Sequence, residues 1–288
     1  MVIFIERVGP LATIQDLGRP GWFDSGVGPA GAADRASLRL ANRLVGNPED
    51  HAGLEVLLGG LVLRTDAHVT VAVTGAPATA TVDSTPVGHA SVLELEAGQT
   101  LRLGMATTGL RSYVGIRGGI DVPKVLGSRS RDTLSGIGPD PLRPGMQLPV
   151  GPPPRTFPTV EFAPVPLPPE VFVVRARPGP RDDWFTDPAA LFHGSWQVSS
   201  ETDRVGARLD RVDGPPLTRA VTRELPAEGV ALGSVQVPPS GQPVVFLADH
   251  PITGGYPVIA VVLDADVDRV AQLRPGERLR FRLDEAAR

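Results

Sequence analysis

Proline and glycine interrupt this chain so often that long regular elements are excluded before anything else is considered. There are 31 prolines and 33 glycines in 288 residues. Proline removes the N–H that a helix interior or a central strand would use. Most of the segments between them read as strands: "HVTVAVTG" at 68–75, "SVLELEAG" at 91–98, "RSYVGIRGG" at 111–119, "VFVVRARPG" at 171–179, "GSVQVP" at 233–238 and "ERLRFRL" at 277–283. Short strands with frequent turn signals indicate a sandwich or barrel, so the expected fold class is mainly β. One segment departs from this. "AADRASLRLANRLV" at 32–45 puts Ala33, Ser37, Leu40, Ala41 and Leu44 on one helical face and stops at Gly46-Asn47-Pro48. Shorter helical turns are expected at 182–191 and 266–272.

The segment 148–170 carries nine prolines and little that could enter a core, which predicts an extended strap. The expected organisation is an N-terminal half at 1–150, a proline-rich linker at 151–170 and a C-terminal half at 171–288. Each half closes on a similar phrase, "LRPGMQLPV" at 142–150 and "LRPGERLRF" at 273–281, with a looser copy, "LEAGQTLRL", at 95–103. Either an internal duplication or the repeated use of one Pro-Gly turn explains the likeness.

Composition narrows the chemistry. There is no cysteine, hence no disulfide, thiol nucleophile or thiolate metal site. The cytoplasm is the expected compartment. A net charge of −4 with dispersed arginines does not describe a nucleic-acid surface, and no apolar run reaches the roughly 18 residues of a membrane span. Of the 28 basic residues all but Lys124 are arginine. There is no GxxxxGK[ST] phosphate loop, no biotin-attachment lysine, no GxSxG, and no pair of histidines at metal-ligand spacing.

What remains are loops bearing glycine, arginine and aspartate at strand ends. Residues 13–47 carry Gln15, Asp16 and Arg19 before a Pro-Gly turn, then three glycines leading to a helix with Asp34 in its first turn. Asp34 there is a helix cap or an orienting acid. Residues 113–136 carry Arg117 before Gly118-Gly119, and Arg129 within Gly127-Ser128-Arg129-Ser130. Arginine grips carboxylates in a forked geometry, in a structural ion pair or with a ligand. In the second half Gln236 offers an amide from a strand. "VVFLADHPITGGYPVIAVV" at 244–262 then separates two apolar runs by nine residues, including Asp249, Thr253, Gly254, Gly255 and Tyr256. A tight hairpin needs about two residues there, so this is either a ligand loop or an elaborate turn.

"TIQDLGRPG", "LANRLVGN", "YVGIRGGIDVPKVLGSRSRDTL", "TDRVGARL", "GSVQVPPSGQPVVFLADHPITGGYPVIAVV" and "AQLRPGERLRF" occur in that order. With them the chain resembles, over residues 7–283, the allophanate hydrolase subunit 2-like, biotin-dependent carboxyltransferase family, which includes the C subunit of 5-oxoprolinase and the KipI antagonist KipA. The resemblance implies two cyclophilin-like β-barrel halves with one or two short helices. It also implies a KipI-like or allophanate hydrolase subunit 1-like partner, and with a lactam-handling subunit an ATP-dependent opening of 5-oxoproline to glutamate. ATP is expected for the complex, with no site for it located in this chain, and no metal site is identified. Carboxyl transfer in a urea or amide carboxylase, with biotin on a separate chain, and non-catalytic sequestering of a KipI-like inhibitor are the alternatives. On the leading reading Asp34, Arg117 and Asp249 are catalytic. Arg19, Arg129, Gln236, Thr253, Gly254, Gly255 and Tyr256 bind substrate. The chain departs from the family pattern at Ala30-Gly31-Ala32-Ala33, which lacks the usual serine and methionine, and at Ile252-Thr253, where two threonines are usual.

Overall fold

The computed structural model describes residues 1–157, 159–165 and 169–284. Among these, strands dominate, and there are two α-helices, α1 (Arg35–Leu44) and α2 (Asp264–Val270). The mainly β class expected from the punctuation of the sequence is the class observed. All six quoted strand segments contain a strand, and short 3-10 turns occupy Asp182–Trp184 and Pro188–Phe192.

The chain forms two compact units, one from Met1–Arg19 with Ala30–Pro168 and one from Pro20–Pro29 with Pro169–Arg288. This division differs from the expected boundaries in two ways. The ten residues 20–29 leave the first half for the second unit. The proline-rich segment belongs to the first unit, because its backbone is hydrogen-bonded there: Val92 N–H donates to Glu161 O (2.7 Å) and Ala163 N–H to Ala90 O (2.8 Å). Of the expected linker, residues 158 and 166–168 lie outside the described residues, as do residues 285–288 of the expected C-terminal half.

The first unit contains two sheets. The six-stranded sheet runs Gln147–Pro149, Val2–Arg7, Val62–Thr65, Thr100–Ala106, Ala78–Val82, Thr85–Val87. The five-stranded sheet runs Leu11–Gln15, Gly53–Leu57, Arg111–Ile116, Val69–Gly75, Val92–Leu95. Alternate apolar residues from both enter one core that includes Ile3, Ile5, Ile14, Leu54, Val71, Leu101 and Val114. Burial of each such side chain contributes about 1.5–3 kcal/mol. Helix α1 lies on the five-stranded sheet, where Leu38 and Ala41 pack with Tyr113. Of the expected apolar face Ala33, Ala41 and Leu44 are buried, Ser37 and Leu40 are only partly so, and Leu38 and Asn42 are buried besides.

The second unit is a closed seven-stranded barrel, in the order Phe172–Pro178, Val258–Val262, Ser234–Gln236, Val244–Phe246, Gly206–Asp213, Ser195–Val198, Arg278–Leu283. Closure joins its first and last strands as a parallel pair, Phe172 opposite Leu279 and Ala176 opposite Leu283. The fully buried Trp196 meets Phe281 edge-on inside it.

The three similar phrases adopt one local structure. Gln99 N–H donates to Glu96 O, Met146 N–H to Arg143 O and Glu277 N–H to Arg274 O. In each turn the third residue is a left-handed glycine, with φ of +88° at Gly98, +90° at Gly145 and +91° at Gly276. A β-turn with positive φ at that position favours glycine there and accepts proline before it, wherever it occurs. Turn chemistry therefore accounts for the likeness without an appeal to duplication.

Candidate functional site

A cluster of polar side chains lies in the first unit, where strand Leu11–Gln15 ends beside the segment 125–131. Asp16 holds these together. Its Oδ1 accepts from Gly18 N–H (2.8 Å), Ser128 Oγ (2.6 Å) and Ser130 Oγ (2.6 Å), and its Oδ2 accepts from Arg129 N–H (2.7 Å). A carboxylate with this many donors is a fixed strut, since breaking any one contact leaves a buried polar atom unsatisfied. Gln15 continues the seam through its side-chain amide to Arg131 O (2.9 Å). Arg19, almost wholly buried, donates to Ser130 O.

This frame forms one wall of a polar cleft of about 440 Å³ lined by Asp16, Leu17, Gly18, Pro48, Asp50, His51, Lys124, Gly127 and Arg129. Arg129 is fixed at its mouth, with Nε donating to Val122 O (2.7 Å) and one terminal nitrogen to Asp121 Oδ1. Lys124 and Asp50 are exposed. His51 contributes a neutral ring. Burial lowers its pKa, Asp50 opposes that, and the positive charges of Arg129 and Lys124 add to it. Its Nδ1 is buried without a hydrogen-bond partner among the described residues. The volume is that of a small-molecule pocket, and the lining offers charge rather than an apolar wall.

Of the expected site residues in this unit, the structure brings Arg19 and Arg129 to the frame and uses the other two elsewhere. Asp34 is the N-cap of α1: its Oδ1 accepts from Ser37 N–H (2.9 Å) and its Oδ2 from Ser37 Oγ (2.6 Å). Arg117 sits at the opposite end, donating to Val45 O (2.8 Å), the C-cap carbonyl. It also reaches Pro154 O (2.6 Å) and Thr156 O (2.8 Å) in the strap. An acid at the N-terminus and a cation at the C-terminus complement the helix dipole. The two expected catalytic groups thus bracket a helix, and neither lines the cleft. Behind Asp34 is a buried network in which Tyr113 Oη donates to Glu55 (2.8 Å) and accepts from Asp34 N–H (2.8 Å). Burial, then the charges of Glu55 and Asp34, push the Tyr113 phenol well above its ordinary pKa. It therefore remains a protonated donor.

The remaining expected residues gather in the second unit. Asp249 forms a forked, buried ion pair with Arg204, Nε to Oδ2 at 2.8 Å and a terminal nitrogen to Oδ1 at 2.9 Å. That geometry makes Asp249 a structural strut, not an open acid. Gln236 donates to Tyr256 O (3.1 Å), and Gly254 lies directly over it: a Cβ at 254 would stand 2.4 Å from the Gln236 amide nitrogen. The glycine is needed for close approach, and the approaching group is the chain's own amide. Thr253–Gly254 pair antiparallel with Glu228–Gly229, so two residues of the nine-residue interruption form one strand of a small ribbon. Gly255 and Tyr256 remain exposed beside it. Sequence reasoning did not single out His51, Asp50 and Lys124 as one site. They come from separate segments with no spacing relation between the lysine and the other two, and only the fold makes them neighbours.

The comparisons with known proteins agree with one another. The family model "Carboxyltransferase domain, subdomain A and B" matches residues 25–283. The chain is 39% identical to the 5-oxoprolinase C subunit of Escherichia coli over 96% of its own length and 89% of that protein's. It is 36% identical to the Haemophilus influenzae protein of the same name, over 100% of this chain and 94% of that one. The crystal structure of K. lactis urea amidolyase superposes with a TM-score of 0.90 at 29% identity, over 97% of this chain but only 18% of that one. With a family match spanning both units and relatives similar over nearly their whole lengths, the chain belongs to the carboxyltransferase subdomain A and B family.

Proposed function

We propose that this chain is a subunit of an ATP-dependent 5-oxoprolinase, which opens 5-oxo-L-proline to L-glutamate, and that it is active only in complex. The observation that carries the reading is reciprocal coverage. Similarity to the two 5-oxoprolinase C subunits extends over nearly all of both partners, as expected of proteins doing one job as one polypeptide. The partners are a KipI-like subunit and a lactam-handling subunit, and the compartment is the cytoplasm. ATP is assigned to a partner, in keeping with a sequence that has no GxxxxGK[ST] segment. The chain's own contribution is to hold substrate: a polar cleft with Arg129 and Lys124 at its edge suits an anionic small molecule.

A second reading, transfer of a carboxyl group from carboxybiotin on another chain to an amide, is supported by the likeness to urea amidolyase. There, however, this chain corresponds to a small part of a much longer protein. A tagged pull-down with mass spectrometry separates the readings. Recovery of a KipI-like and a lactam-handling protein supports the first, and recovery of a biotinylated protein replaces it with the second. A KipI-like protein alone, in an inactive pair, would make the chain a sequestering module.

A further inference from the structure

The charges around the first-unit cleft pair off except for two. Asp16 is saturated by four donors, and Arg129 is matched by Asp121. Lys124 and Asp50 line the same cleft and make no ion pair among the described residues. With them stands a neutral His51 that feels both: Asp50 raises its pKa while Lys124 lowers it. A cleft of about 440 Å³ with one unmatched cation, one unmatched anion and no net excess of either is poorly suited to a polyanion such as a nucleotide. It suits a small molecule carrying one carboxylate and one N–H donor. We propose that this cleft binds such a carboxylate, with its anion at Lys124 and its N–H directed to Asp50. The class comprises lactam acids and amino acids. The assignment deepens the 5-oxoprolinase reading and rests on it for the identity of the physiological ligand.

The sequence supplies an unusually clean probe. Because Lys124 is the only lysine, reductive 13C-methylation of the full-length protein labels that side chain and the α-amino group alone. Loss of one signal in Lys124→Gln assigns the other. Titration with 5-oxo-L-proline is expected to shift the Lys124 signal saturably. Cyclopentanecarboxylate, which lacks the N–H, should bind roughly ten-fold more weakly, the scale of one hydrogen bond to a charged group. 2-Pyrrolidinone, which lacks the carboxylate, should cause no shift. Asp50→Ala, which removes the acceptor, should abolish the preference for 5-oxo-L-proline over cyclopentanecarboxylate. Tighter binding of inorganic phosphate than of any carboxylate would overturn the proposal, as would the absence of a shift with every ligand. The cleft assignment and the function fail separately. Full 5-oxoproline turnover by the assembled complex with no Lys124 shift removes the cleft assignment and keeps the function. A Lys124 shift with glutamate or another amino acid, in a chain whose complex does not open 5-oxoproline, keeps the cleft and removes the function.

Discussion

At the scale of single residues, the acids and arginines that the sequence offered as chemistry divide by what surrounds them. Asp249 and Arg204 are both buried and locked in a fork. Replacing Asp249 by Ala takes the carboxylate from a buried guanidinium, and such a loss costs about 3–5 kcal/mol, whereas replacing both partners by apolar residues is often close to neutral. Urea unfolding of Asp249→Ala should therefore show a large loss, and Arg204→Met/Asp249→Leu should recover most of it. A single variant within about 0.5 kcal/mol of the parent, the range of ordinary surface substitutions, would contradict the strut assignment. The types of residue at this site were readable and their pairing was not. Asp249 and Arg204 lie 45 positions apart, and strand pairing brings them together. Gly254 marks a point of close approach, and the structure has the Gln236 amide at that point. A glycine announces proximity and not the identity of the neighbour.

At the scale of elements, local rules served best where the signal was local. Helix α1 was legible because its cap, its apolar spacing and its terminating Gly-Asn-Pro all lie within one segment. The Pro-Gly turns were legible for the same reason. Closure of the second unit was not, since it depends on Phe172–Pro178 pairing with a strand about a hundred residues later. Helix α2 carries a titrating contact across one such long-range link. In its first turn Asp266 accepts from Arg175 N–H (2.8 Å), Nε (2.8 Å) and a terminal nitrogen (3.0 Å). Burial pushes the Asp266 carboxyl up, but these hydrogen bonds and the Arg175 charge outweigh it and leave the pKa below its ordinary value. A carboxylate with a lowered folded pKa stabilises the fold above the unfolded pKa, near 3.9, and loses that contribution as pH falls through the folded value. The stability difference between the parent and Asp266→Asn should thus be largest near pH 7 and shrink below about pH 4. A difference that is constant with pH, or grows toward acid, would contradict the coupling.

For the whole molecule, two units with separate cores carry motifs spread along the full sequence, and the family match spans them both. The order of those motifs was enough to identify the family. The composition of the cleft was not legible, because Lys124 shares no motif with Asp50 and His51. Activity belongs to a larger scale still, that of the assembly. The decisive measurement is glutamate release from 5-oxo-L-proline by the reconstituted complex, assayed with and without this chain and with and without ATP. Turnover that requires both the chain and ATP is the predicted result. Full turnover by the partners alone would contradict the account, and so would a correctly assembled complex that leaves 5-oxo-L-proline intact.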